Sequence, residues 1–242
     1  MKEMFTMTIK KDLFLEYVEI NQYLQDVWKL GKSQSIALAQ KSFLKNYQTG
    51  DKIFSDKKTY QDTVYIIFSG NVLLQTVLID GSYTCQLFTK EDYFPLDLKK
   101  TTRYFEIHQA VACQETRILH VPLTKLNELL ELQPQILTFF YQCLIRKQTE
   151  MLENENNYLS GKRRHRIGAL LWNFAQSCGQ TLETGDILLP EMLTRAVIGA
   201  FTQTGHSWVD NIIRDFRDEG LLFKETPRLI LNEKTLTIWS TL

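Results

Sequence analysis

The most regular pattern of apolar and polar residues in the chain lies between Thr194 and Leu222. Two short helical patterns, over 195–201 and 206–219, are separated by a polar spacer that ends at Gly205, a residue able to adopt a positive φ. On a helical wheel of the second pattern, the apolar side chains fall in one arc: Trp208, Val209, Ile212, Ile213 and Phe216. This arrangement predicts a helix-turn-helix, although an amphipathic surface helix without a ligand has the same pattern.

The other arc of the second helix is entirely polar and contains the candidate nucleic-acid contacts. Because a recognition helix reaches base edges near its N-terminus, the donors there are candidates for base contacts: His206, Ser207 and Asn211. The surrounding cations are candidates for phosphate contacts: Arg195, Arg214, Arg217, Lys224 and Arg228. The last two lie in a predicted β-hairpin, over 221–224 and 228–231, that would form the wing of a winged helix.

The first half of the chain changes from a helical to a β-rich pattern near Tyr47. Residues 11–30 carry apolar side chains at helical spacing and predict one or two helices that cover the next domain. Short runs rich in β-branched and aromatic residues follow, bounded by turn residues: 52–54, 63–68, 71–78, 83–88, 105–112 and 117–121. Several short strands at this spacing predict an antiparallel sandwich or roll.

A long helix is predicted after Pro134, which is well placed to start it. Apolar side chains recur along this helix at seven-residue spacing: Leu137, Leu144, Met151 and Tyr158. Phe140 lies at the second core position of the heptad, and Lys147 lies at the same position one heptad later. These residues form a coiled-coil-like seam along the helix, and the seam predicts a homodimer. The alternative is a helix packed only on its own β-rich domain, for which the aromatic run 139–141 supplies enough apolar surface.

A further helix over 162–177 and a strand over 186–189 are predicted before the helix-turn-helix.

The chain of 242 residues is long enough for two domains, each with its own core. Its formal net charge is zero, and the segment from Ser160 onward carries ten lysines and arginines against nine acidic residues. Bulk charge therefore gives no support to nucleic-acid binding. DNA binding must rest on the local placement of cations, such as the basic run 162–166, and we expect it to weaken steeply with salt.

Several classes of function find no motif in the sequence. The chain has no glycine loop for phosphate and no nucleophile motif, so we do not expect an enzyme. His108, Cys113 and His120 lack a convincing ligand spacing, so we expect no metal site. The four cysteines are scattered, the first residues lack a signal peptide, and no apolar run is long enough to cross a bilayer. We therefore expect reduced thiols and a cytoplasmic protein.

The C-terminal half of the chain carries a motif in six segments: Leu189-Pro190, Leu193-Thr194-Arg195, Ile198-Gly199, Val209, Ile212-Ile213 and Glu219-Gly220-Leu221-Leu222. This motif resembles the C-terminal signature of the Crp/Fnr superfamily of transcription regulators. The segment 65–72 resembles the glycine turn of the family's cyclic-nucleotide-binding β-roll. Inside the helix-turn-helix the chain departs from the family, because Gln203 replaces the usual turn glycine, Val197 an acidic residue and Asn211 an arginine.

The resemblance implies an α+β fold with three parts. Residues 1–132 would form an N-terminal cyclic-nucleotide-binding-like β-roll, a sensor domain with flanking helices. Residues 133–160 would form a long dimerisation helix and hinge, and residues 161–242 a C-terminal winged helix-turn-helix. The resemblance also implies a bacterial transcription regulator that binds a near-palindromic double-stranded DNA site as a homodimer, with RNA polymerase as a partner. It leaves open whether transcription rises or falls.

The residues that hold cyclic nucleotide in the family are replaced in this chain. Pro95-Leu96 stands where a Gly-Glu pair would hold the ribose, and Ile107-His108 where an Arg-Ser pair would cradle the phosphate. In this respect the chain resembles the PrfA-like branch, whose members do not use cyclic nucleotide, and glutathione stays open as an effector by resemblance alone. We therefore expect no control by cyclic AMP. A second class of function also stays open, a β-roll sensor or scaffold that acts by protein contact and has a degenerate helix-turn-helix.

Overall fold

The computed structural model describes residues 2–54, 62–77, 81, 83–96, 106–159, 161–225 and 228–235. The helices in these residues are α1 (Lys2–Asp26), α2 (Lys32–Ala39), α3 (Leu123–Leu132), α4 (Ile136–Leu159), α5 (Arg163–Cys178), α6 (Arg195–Thr202) and α7 (His206–Asp218). The strands are β1 (Phe43–Tyr47), β2 (Lys52–Phe54), β3 (Thr63–Ser69), β4 (Val72–Val77), β5 (Tyr83–Phe88), β6 (Tyr93–Phe94), β7 (Glu106–Ala112), β8 (Thr116–Pro122), β9 (Gln180–Thr181), β10 (Ile187–Leu188), β11 (Leu222–Glu225) and β12 (Arg228–Leu231). The predicted α+β class is therefore confirmed.

The N-terminal strands form a β-roll of two four-stranded antiparallel sheets, ordered β1-β8-β3-β6 and β2-β7-β4-β5. The core between the sheets is aromatic: the Tyr65 and Phe94 rings stack with centroids 5.1 Å apart, and Phe54 and Phe88 pack against Phe94. Gly70 turns β3 into β4 at a φ of +88°, and a Cβ atom there would lie 2.4 Å from the Thr116 hydroxyl. Only glycine fits this turn.

All six strands predicted in this region are present, and β1 and β6 are additional. Strand β1 has no alternation pattern in the sequence, because it lies at a sheet edge and only Tyr47 of its five residues is buried. The short strand β6 has two residues, which is too few for an alternation pattern. The helix predicted over 11–30 is present as α1, whereas α2 was not predicted.

The helices α1 to α4 share a second core with the outer face of the β1-β8-β3-β6 sheet. In that core the Phe140 ring lies 5.2 Å from the Trp28 ring and 4.9 Å from the Tyr93 ring, and Phe140 is only 3% exposed. The assignment of Phe140 to an intermolecular seam is therefore wrong, because its side chain is already covered by its own β-roll. The alternative, a helix packed on its own domain, holds for this face of α4.

Lys147 was placed one heptad after Phe140 and also points into the β-roll. Its ammonium lies 2.9 Å from the Asp92 carboxylate, donates to the Leu87 carbonyl at 2.5 Å and sits 4.5 Å above the Phe88 ring. The two charged side chains are 4% and 1% exposed. A buried charge is tolerated only where its partners are all in place, so this pair fixes α4 on the β-roll.

The C-terminal part of the chain packs α5, α6 and α7 on a small antiparallel sheet ordered β11-β12-β10-β9. The helix predicted over 162–177 is present as α5, and the strand predicted over 186–189 is present as β10. The predicted wing is present as the hairpin of β11 and β12, in which Leu222 pairs with Leu231. This part of the chain is therefore a winged helix-turn-helix, as predicted.

Candidate nucleic-acid interface

The helix-turn-helix is formed by α6, a three-residue turn and α7. The Thr194 hydroxyl caps α6 by accepting a hydrogen bond from the Val197 amide at 3.3 Å. A left-handed residue, Gln203 at a φ of +46°, ends α6. The sequence had suggested Gly205 for a positive φ, but Gly205 is extended at a φ of −61°. Gln203 therefore takes a left-handed conformation that favours glycine.

The two helices of this motif approach each other closely at Gly199. A Cβ atom on Gly199 would lie 2.8 Å from the Thr204 carbonyl oxygen and 3.5 Å from the His206 ring. Thr204 is itself buried in the turn, and its hydroxyl donates to the Thr202 carbonyl at 3.1 Å. These contacts fix where α7 begins relative to α6, so the polar face of α7 has a defined orientation.

The polar face of α7 is open to solvent, as the helical wheel predicted. Its candidate base contacts, His206, Ser207 and Asn211, are all exposed. The apolar face is buried through Val209, Ile212 and Phe216, with Ile213 half-buried beside them. Trp208 does not follow the prediction, because its side chain is 52% exposed rather than part of the core.

Two arginines of the basic run 162–166 contact α7, and one of them, Arg163, explains the position of Trp208. The Arg163 guanidinium lies 4.9 Å from the centre of the Trp208 ring, and the Arg164 guanidinium lies 4.4 Å from that of Phe216. Arg164 also pairs with Glu219. The start of α5 therefore places one cation, Arg163, beside the first turn of α7 and another, Arg164, beside its last turn. In the sequence these two arginines are visible only as part of a basic run.

Three of the predicted phosphate contacts have polar partners. Arg195 pairs with Asp210 at 2.9 Å, Arg214 donates to the Asn211 side-chain oxygen at 2.5 Å, and Arg228 lies 3.8 Å from Glu191. Arg217 is exposed in the last turn of α7, and the side chain of Lys224 lies outside the described part of the chain. Exposed ion pairs contribute about 0–1 kcal/mol to the stability of the folded chain. Phosphate groups of DNA can therefore replace the acidic partners of Arg195 and Arg228 with little loss of stability.

An apolar stripe on α4 faces away from the β-roll. Its exposed side chains recur at helical spacing: Leu137, Tyr141, Ile145 and Leu152, which are 49%, 63%, 43% and 67% exposed. Leu144 and Met151, which the sequence placed in the dimer seam with Leu137, are half-buried beside this stripe. The side chain of Tyr158 lies outside the described residues. The stripe is offset around the helix from the predicted seam, because Phe140 and Lys147 take the inner face.

The fold of the whole chain can be compared with those of known proteins. No protein-family profile and no curated protein sequence matches the chain. Solved structures do match it. A Crp/Fnr-family protein from Eubacterium rectale is 12% identical, with a TM-score of 0.69 over 90% of this chain and 98% of that chain. A Crp-family transcriptional regulator from Thermus thermophilus is 19% identical, with a TM-score of 0.63 over 82% of this chain and 97% of that chain. The global regulator CLP from Xanthomonas campestris is 14% identical, with a TM-score of 0.60 over 79% of this chain and 94% of that chain.

The chain has the Crp/Fnr fold. The solved Crp/Fnr structures named above belong to transcription regulators rather than to enzymes. Within the described residues no group of three metal-binding side chains comes together, and no described helix has the length and apolar character of a membrane span.

Two of the residues predicted to stand where the family holds cyclic nucleotide lie at the aromatic core of the β-roll. Leu96 and Ile107 pack against the cluster that contains Phe54, Phe88 and Phe94. The side chain of His108 lies outside the described residues. His120 is accounted for structurally: burial lowers its pKa to about 4, and its ring nitrogen lies 3.1 Å from the Tyr47 hydroxyl.

Proposed function

We propose that the chain is a sequence-specific DNA-binding transcription regulator that acts as a homodimer. The observation that supports this most strongly is the exposed polar face of α7 on a helix-turn-helix whose apolar side is packed in the core. Helices of this kind read base edges in the major groove through their first turns. The three parts of the chain, 1–132, 133–160 and 161–242, would then serve as sensor, dimerisation helix and DNA-binding domain. Contact with RNA polymerase is part of the same proposal.

Asn211 is the residue that we assign to direct base reading. The Arg214 guanidinium donates to its side-chain oxygen, and this bond orients the amide. A carbonyl oxygen has two lone pairs, so it can accept from Arg214 and from an adenine amino group together. The amide nitrogen then points toward the adenine N7, which completes the bidentate pairing that asparagine makes with adenine.

Replacing Asn211 with alanine is expected to weaken binding to the preferred duplex by about 1–3 kcal/mol and binding to random duplex far less. The matched comparison is Arg163→Ala, which removes a cation beside α7 and should weaken binding to both duplexes equally. The Arg163 variant should also lower the slope of log affinity against log salt by about one unit. Both variants are titrated on both duplexes at several salt concentrations. Equal losses on the two duplexes for Asn211→Ala would remove this residue from base reading.

We further propose that cyclic AMP does not control this protein. A buried phosphate needs a cation and hydrogen-bond donors, whereas Leu96 and Ile107 offer the β-roll core only apolar surface. This is the property for which the PrfA-like branch is known, and glutathione is one effector worth adding to the same experiment. Calorimetry should give a dissociation constant for cyclic AMP of about 1 mM or larger. A value of about 1 mM corresponds to a binding free energy of about −4 kcal/mol. Micromolar binding, or a change in DNA affinity on adding cyclic AMP, would contradict the proposal.

A further inference from the structure

The C-terminal end of α5 is joined to the β-roll by a short polar junction. The side-chain amide of Asn71, in the turn between β3 and β4, donates to the Ser177 carbonyl at 2.5 Å and to the Cys178 sulfur at 3.2 Å. Around this junction, Leu73 and Cys85 of the β-roll pack in the same apolar cluster as the core of the winged helix. The two halves of the molecule therefore meet at Asn71.

Two cysteines from the two halves lie at this junction. The Cys113 amide donates to the Asn71 carbonyl at 2.8 Å, so Asn71 holds Cys113 by its backbone and Cys178 by its side chain. The neighbouring Cys113 thiol and the hydrogen bond from the Asn71 amide lower the pKa of Cys178, whereas the Cys178 thiol and burial raise the pKa of Cys113. Cys178 is thus the better nucleophile of the two.

A cleft leads to the thiol pair. Cys113 and Cys178 line a cleft of about 350 Å³, together with Gln114, Gly179 and Arg228. Since a water molecule takes about 30 Å³ of liquid volume, the cleft admits a small oxidant without opening the core. Cys85 is buried in the same apolar cluster, and burial raises its pKa to about 12. Cys178, whose pKa is lowered, therefore differs chemically from this third cysteine.

We propose that Cys113 and Cys178 are a disulfide-forming site that reacts with hydrogen peroxide. The Cys178 thiolate attacks one peroxide oxygen, the O–O bond breaks, and the released hydroxide leaves as water after taking a proton. This gives a sulfenic acid on Cys178. The Cys113 sulfur then attacks the Cys178 sulfur, the S–O bond breaks, and the second oxygen leaves as water with the Cys113 proton. Two thiols are oxidised by two electrons in total, and one peroxide is reduced to two waters.

The disulfide would tie the β-roll to the helix that supports α7. Cys178 is the last residue of α5, and Arg163 and Arg164 at the other end of that helix contact Trp208 and Phe216 of α7. A helix of 16 residues is about 24 Å long and rigid, so fixing one end constrains the other. This consequence for DNA binding rests on the proposed function, whereas the thiol chemistry does not.

The test uses the full chain, purified with reductant and then exposed to hydrogen peroxide after the reductant is removed. After acid quenching and unfolding, the number of thiols that can be alkylated should fall from four to two. Peptide mapping should join the Cys113 and Cys178 peptides, and reductant should separate them. Proteolysis in the basic run 162–166 should leave two fragments that stay together on a non-reducing gel.

Three variants make the result specific. Cys113→Ser should accumulate a sulfenic acid on Cys178 that dimedone traps, and Cys178→Ser should leave Cys113 reduced. The matched control Cys85→Ala removes a third thiol of the same cluster and should still form the disulfide. The proposal is overturned if both cysteines stay alkylatable, if either pairs elsewhere, or if Cys85 is oxidised as fast as Cys178. A disulfide in a protein that binds no DNA would refute the proposed function alone.

Discussion

Replacing Lys147 with alanine is expected to lower the free energy of unfolding by about 3 kcal/mol. The substitution leaves the Asp92 carboxylate buried without its ammonium partner, and it frees the Leu87 carbonyl that Lys147 also binds. Breaking a buried pair from one side costs about 3–5 kcal/mol, and we expect the lower end because Arg146 still contacts Asp92 at 2.9 Å. For a chain of this size the melting temperature should fall by about 6–12 °C.

The matched control is Lys125→Ala, which removes an ion pair of similar length that is exposed. Lys125 lies 2.7 Å from Glu128, and both side chains are in solvent. Its loss should change the free energy of unfolding by about 0.5 kcal/mol or less. Urea unfolding at one protein concentration compares both variants with the parent chain. A loss below about 1 kcal/mol for Lys147→Ala would show that α4 is not fixed to the β-roll by this pair.

Replacing Ile145 with glutamate is expected to convert the proposed dimer to a monomer. Ile145 lies in the middle of the exposed stripe of α4, between Tyr141 and Leu152. If two copies of this stripe form the dimer interface, the new carboxylate would be buried there without a partner. Affinity for a palindromic duplex should fall by about 10²–10⁴, because the second half-site no longer benefits from linkage to the first. Light scattering and DNA titration measure the two effects on the same sample.

The control for this variant is Gln142→Glu, which introduces the same charge at an exposed position of α4 outside the apolar stripe. It should leave both the mass in solution and the DNA affinity unchanged. If Ile145→Glu remains fully dimeric, the subunits meet elsewhere. A monomeric variant with undiminished DNA affinity would instead show that one winged helix binds without its partner.

The sequence predicted the fold well where the periodicity itself carries the information. Six of the eight described β-roll strands, α5, α7 and the wing are visible as alternation or helical spacing. The same patterns cannot say which surface covers an apolar stripe. Phe140 and Lys147 sit at seven-residue spacing, and the partners that bury them, Trp28 and Asp92, lie far away in sequence. A heptad pattern therefore predicted a seam from residues that belong to the core of a single chain.

The sequence predicted which face of α7 is polar and exposed, but it did not predict the side-chain contacts around that face. A helical wheel separated the polar face of α7 correctly, but it placed Trp208 in the core because it could not show that Arg163 contacts the ring from another helix. Side-chain partners such as Asp210 for Arg195 were likewise invisible, since they depend on the angle between α6 and α7. The left-handed Gln203 was missed because residue type alone favours glycine at such a position.

The central claim, that α7 reads DNA for a dimeric protein, is tested most directly by selecting duplexes from a random pool with the full chain. The pool is screened at low and at moderate salt, with and without cell extract to supply an effector. We predict enrichment of a near-palindromic sequence whose half-sites lie about one helical turn apart, 34–36 Å between centres. Failure to enrich any sequence under all these conditions would contradict this account and favour a β-roll sensor or scaffold that acts by protein contact.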